Sequence, residues 1–191
     1  MEERNIVTGK SVTGKLIGLF FGYGILFGII YSMIYGRISN NVSSESSLIP
    51  IAIIAIILQG IITFLVWRCS ITSVFKKVTI NKSEVGKVIK NLIIFSVVIS
   101  IITAVTTWIE MNDNFNERIE NSFEINMAER YMQYLYDDEQ IAEYNLQKEK
   151  IINETKVKLN TYFVVLETGL LIVYVAVVPL QKEHILKYCV E

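Results

Sequence analysis

The chain has 191 residues, 52% of them hydrophobic and 19% charged, with a mean hydropathy of +0.42. Soluble domains carry about 25% charged residues, so the composition already strains a water-soluble reading. A single histidine, two cysteines far apart in sequence and a net charge of −1 leave no Cys/His metal cluster within one chain and no basic footprint for nucleic acid.

The charges are segregated along the chain. Windows 16–35, 48–67, 92–109 and 161–180 together contain one charged residue, Glu167. Each window reaches the roughly 20 residues needed to cross about 30 Å of hydrocarbon, and in lipid the backbone must satisfy itself as a helix. The expectation is therefore an all-α polytopic membrane protein with four transmembrane helices. Residues 1–15 contain Arg4, Lys10 and Lys15 and resemble the basic start of a secretory signal. The apolar run that follows is longer than a signal core, and it ends in bulky Tyr31, Met33 and Tyr35, so it reads as an uncleaved span. Segment 68–91 carries six basic residues against Glu84 alone, whereas 36–47 carries only Arg37 and Glu45. Positive-inside counting then places the N-terminus, 68–91 and the tail 181–191 in the cytoplasm, with 36–47 and 111–160 outside. Both cysteines fall on the reducing side, where a structural disulfide is not expected. The Ile, Asn and Lys bias suggests a bacterial inner membrane.

In span 1, Gly14, Gly18 and Gly22 recur every four residues, as do Gly24, Gly28, Ser32 and Gly36. Such small-residue ladders let helix backbones approach closely in lipid. Packing against a neighbouring span is the first reading of this seam and a homodimer contact the second. Beside it runs an aromatic ridge of Tyr23, Phe27, Tyr31 and Tyr35. Each remaining span has one small or polar stripe at helical spacing: Ala52, Ala55, Gln59 and Thr63; Ser96, Ser100, Thr103 and Thr107; and Asn160, Glu167, Tyr174 and Gln181. Seven residues inward from Asn160, Glu167 lies roughly 10 Å below the outer interface, at a depth near that of Thr103 and Gln59. An intramembrane carboxyl by default marks an ion or proton path. No Lys, Arg or His lies in any window, so desolvation favours the neutral acid, hydrogen-bonded to Gln59, Thr103 or Tyr31.

In the basic loop, Ile71, Val74, Phe75 and Val78 follow helical spacing and suggest a short amphipathic helix lying on the membrane. Asn81 and Glu84 have the spacing of a capping box opening the next helix. The segment 111–160 lacks Pro and Gly, and Phe115, Ile119, Phe123, Met127, Tyr131 and Leu135 recur every four residues. A break at Asp137, Asp138 and Glu139 precedes a second helical stretch through Ile141, Leu146, Ile152 and Leu159. This pattern predicts an extracytoplasmic helical hairpin that prolongs spans 3 and 4. The acidic pair at the break reads as a solvated turn, although paired acids also suit a hard cation.

The glycine-rich first span, the segment FKKVTINKSEVGKVIKNL entering span 3 and the acidic stretch DDEQIAEYNLQKEK together resemble uncharacterised four-span bacterial membrane proteins with a helical insertion before the last span. That resemblance implies the architecture alone. No GxSxG, HExxH or phosphate-binding glycine loop occurs, so neither an enzyme nor a cofactor is expected. The function expected is a non-enzymatic membrane interaction protein, an accessory, assembly or immunity-type subunit, using the outer hairpin and the glycine face. Its partners would be the lipid bilayer and a second copy or another membrane protein. The alternative is a small transporter or channel built on Glu167.

Overall fold

The computed structural model describes residues 5–40, 48–120 and 138–190. In chain order these form β1 (Asn5–Ile6), α1 (Gly9–Asn40), α2 (Leu48–Phe75), β2 (Val78–Asn81), a 3-10 turn (Lys82–Glu84), α3 (Val85–Glu120), α4 (Asp138–Val177), a second 3-10 turn (Pro179–Gln181), α5 (Lys182–Leu186) and β3 (Cys189–Val190). Four helices are long and apolar enough to cross a membrane, as the hydropathy windows require. Their flanks are strongly apolar on the outside: Ile25, Leu26, Ile53, Ile57, Ile94, Ile101 and Ile172 are all exposed. Contiguous apolar surface on this scale suits a hydrocarbon solvent and not water.

Two compact units divide the chain, one of Met1–Ile101 with Val165–Glu191 and one of Ile102–Val164. The core of the first lies toward the end carrying β2. It joins Val12 and Leu16 of α1, Trp67, Ile71, Val74 and Phe75 of α2, Ile80 of β2, Val88 and Leu92 of α3, and Ile185 of α5. Phe20, Trp67 and Phe95 pack together where α1, α2 and α3 meet, with ring centroids 4.4 Å, 5.6 Å and 6.2 Å apart, Phe95 meeting both others edge-on.

Short parallel strands close this end. β2 lies between β1 and β3, pairing Asn5 with Val78, Ile6 with Thr79, Ile80 with Cys189 and Asn81 with Val190. The N-terminal segment, the loop between α2 and α3 and the C-terminal segment therefore meet at one end of this unit. β-Branched Val78, Thr79 and Ile80 suit an extended backbone. The Thr79 hydroxyl ties β2 further to the Tyr188 carbonyl, and the Val7 N–H donates to the Thr79 carbonyl at 3.0 Å.

The basic loop differs from the sequence expectation. α2 continues to Phe75 instead of ending at Trp67, and Ile71, Val74, Phe75 and Val78 are all buried within the chain. Their helical spacing is real over the first three, but it points into the protein and leaves no apolar face for a membrane surface. Nor does a local capping box form: Asn81 is extended and makes no side-chain cap. Glu84 instead accepts the Gly9 N–H at 2.9 Å and the Lys87 ammonium at 2.8 Å. It caps the first turn of α1 from 75 residues away, satisfying an orphan donor where the helix dipole favours negative charge. A methyl group at Gly9 would stand 2.8 Å from that carboxylate oxygen and 3.2 Å from the Val88 side chain, so a side chain there would push the carboxylate off its present position.

In the second unit, Ile141, Tyr144, Lys148, Ile152, Thr155 and Leu159 form one half-buried stripe of α4, while Leu146 is 70% exposed. The 3-4 spacing of this stripe is that of a helix-packing seam, and Leu146 lies off it. The expected hairpin tip, with Phe123, Met127, Tyr131, Leu135 and Asp137, lies outside the described residues, as do the side chains of Phe115, Ile119 and Asp138.

Candidate functional site

Gln59 and Thr63 of α2 meet Tyr174 of α4 where the two helices cross. Gln59 Nε2 donates to the Tyr174 hydroxyl at 2.7 Å, and Thr63, which is buried, also bonds that hydroxyl. Glu167 is half-buried two turns earlier on α4. The crossing is close because each helix offers a glycine to the other. A methyl at Gly60 would meet a Val173 methyl at 3.1 Å, and one at Gly169 would overlap the Ile56 side chain. Small residues at such a point permit backbone approach and a gain in dispersion contact.

Sequence reasoning found Glu167, Gln59 and the seven-residue relation to Tyr174, but missed the interlocking pair Gly60 and Gly169. The available signal was a single glycine in each otherwise bulky window. Ala52, Ala55 and Thr63 are buried and Gln59 half-buried, as their common stripe implies. Ser96 and Ser100 are buried too, and the Ser100 hydroxyl donates to the Ser96 carbonyl at 2.8 Å. Thr103 continues that stripe in sequence but is exposed and belongs to the second unit. Tyr31 is half-buried on α1.

The glycine seam is open. A methyl built at Gly14, Gly18, Gly22, Gly24 or Gly28 would meet nothing within 4 Å, so among the described residues no other helix packs on the ladder at these positions. Ser32 is exposed, and Gly36 lies in α1 with its surroundings outside the described residues. The face of α1 that meets α2 carries Tyr23, whose hydroxyl shares a 2.8 Å hydrogen bond with Ser73.

A second polar cluster sits at the sheet end. His184 Nε2 lies 3.1 Å from the Thr72 hydroxyl, and its ring meets Tyr188 edge-on at 5.3 Å. Burial, then the positive charges of Arg68 and Lys187, push the imidazole below its ordinary range, which keeps it neutral near pH 7. Gln181 is buried, and neither of its amide atoms has a hydrogen-bond partner among the described residues. No group of three or more His, Cys, Asp or Glu suited to a metal ion occurs among the described residues. Comparison with family models, curated proteins and solved structures finds no match to this chain.

Proposed function

We propose that this chain is a non-enzymatic integral membrane interaction protein of a bacterial inner membrane, with both termini in the cytoplasm. The open glycine face of α1 docks a transmembrane helix of a second copy or of another membrane protein, and the outer hairpin offers a second contact surface. The observation that supports this reading is the unfilled space over Gly24 and Gly28, on a helix whose Phe21, Ile25, Ile29 and Met33 are also exposed. A bare small-residue ladder on a long apolar helix is the surface that close helix association in lipid requires.

The test is cross-linking through Ser32→Cys in a background lacking Cys69 and Cys189, with Gly28→Leu added. Cross-linked product should form, and Gly28→Leu should abolish it while leaving the melting temperature of the isolated chain unchanged, because the added side chain enters open space. Ile29→Leu should alter neither. Association that survives Gly28→Leu would overturn the proposal.

A second reading, transport of a proton or cation, draws on the half-buried Glu167 in the last apolar window. Against it stands the α2/α4 crossing itself. Ile56 and Val173 fill the spaces over Gly169 and Gly60, and Tyr174 is bonded to Gln59, the arrangement of a packed helix contact.

A further inference from the structure

Lys15 near the start of α1 and Lys76 and Lys77 just beyond the end of α2 line one cleft of about 650 Å³, with Gly18, Leu19 and Val74 among its apolar walls. That volume lies in the range of about 300 to 1,000 Å³ typical of small-molecule sites. No carboxylate lines it. The one acid of the adjoining loop, Glu84, is engaged by Gly9 and Lys87. The α2 C-terminus contributes about half a negative charge there, which three ammonium groups outweigh.

The arrangement is amphipathic along α1. Lys15 immediately precedes the apolar window, and Gly18 and Leu19 lie inside it. Gly14 and Gly22, one turn to either side of Gly18, also meet nothing within 4 Å, so the surface of α1 next to the cleft is open. Positive charge sits at the border of the apolar zone, and open glycine surface at Gly18 and Gly22 lies just inside it. A soluble phosphoester would satisfy the lysines and leave the apolar walls bare. Basic pockets between membrane helices on the cytoplasmic side suit anionic head groups.

We infer that this cleft binds one anionic glycerophospholipid, its phosphate on Lys15, Lys76 and Lys77 and an acyl chain along Gly18 and Gly22. The inference rests on the membrane-spanning reading of the helices and is independent of helix docking at Gly24 and Gly28.

The test uses the full chain purified in uncharged detergent, offered equimolar phosphatidylglycerol and phosphatidylcholine of the same chain length, with retained lipid read by native mass spectrometry. One phosphatidylglycerol should be retained per chain, with a preference of about tenfold. Substituting Lys15, Lys76 and Lys77 together by Gln should remove the preference. Gly18→Leu, which fills the open surface with the lysines intact, should also release the lipid. Substituting Lys150, Lys156 and Lys158 by Gln removes equal charge elsewhere and should change nothing, as should Gly28→Leu. Excess glycerol 3-phosphate should not displace the lipid; full displacement would identify a soluble-anion site and overturn the inference. Equal retention of both lipids, a preference that survives either cleft variant, or its loss in the Lys150, Lys156 and Lys158 control would overturn it as well.

Discussion

Glu84 and Glu167 show how differently two carboxyls are used by one chain. Glu84 lies before the apolar window of α3, where the Lys87 ammonium and then the Gly9 N–H hold its carboxyl below the ordinary value of 4.5. A carboxyl depressed on folding contributes stability that is fully present above its unfolded pKa and lost as pH falls through the folded one. Glu84→Gln should therefore melt lower than the parent at pH 7, and the difference should close as pH falls below about 4. A gap that does not narrow at all as pH falls would show that the side chain acts through shape alone. For Glu167, the glutamine variant keeps shape and hydrogen-bonding capacity, so stability and partner association should match the parent. Glu167→Leu should cost about 1 to 3 kcal/mol if a polar partner is left unpaired. Ion flux through reconstituted vesicles that disappears in the stable glutamine variant would favour transport over interaction.

At the scale of elements, α2 is the organiser of the first unit. It packs aromatic rings against α1 and α3, receives Tyr174 and Val173 of α4 and ends in Phe75, which is fully buried and stacked on Tyr188 at 5.5 Å. Phe75→Ala should lower stability by about 3 to 5 kcal/mol, as deletion of a buried ring does. Had residues 71–78 formed a helix lying on lipid, the same change would weaken membrane binding and leave the fold intact. Thermal melting and vesicle flotation of one variant separate the two outcomes. The periodicity of Ile71, Val74 and Phe75 was legible; its destination was not. An apolar stripe records burial without naming what covers it, and here the cover is the C-terminal segment more than 100 residues away.

For the whole molecule, pairing of β1 and β3 on β2 gathers these two strands and the basic loop at one end of the first unit. That arrangement agrees with an even number of crossings. Positive-inside counting proposes which side this end occupies. Single cysteines at Ser44 and Asn145, in the background lacking Cys69 and Cys189, should react with an impermeant thiol reagent in intact cells, and one at Lys77 should not. Labelling at Lys77 with protection at Asn145 would invert the proposed orientation.

Sequence alone determined the number of the apolar helices and where their apolar stretches lie, because hydrocarbon solvation imposes a length and a charge exclusion that composition records directly. It also located Gln59, Tyr174 and Glu167, since a polar residue in an apolar window is conspicuous without any fold. Tertiary structure decided which faces meet. The abundant glycines of α1 stand open, while two isolated ones, Gly60 and Gly169, form the close crossing. Glu84 caps a helix distant in sequence, and strands of two to four residues become a sheet only because three segments converge. These are long-range choices, set by which surfaces fit together, and local pattern carries no information about the partner.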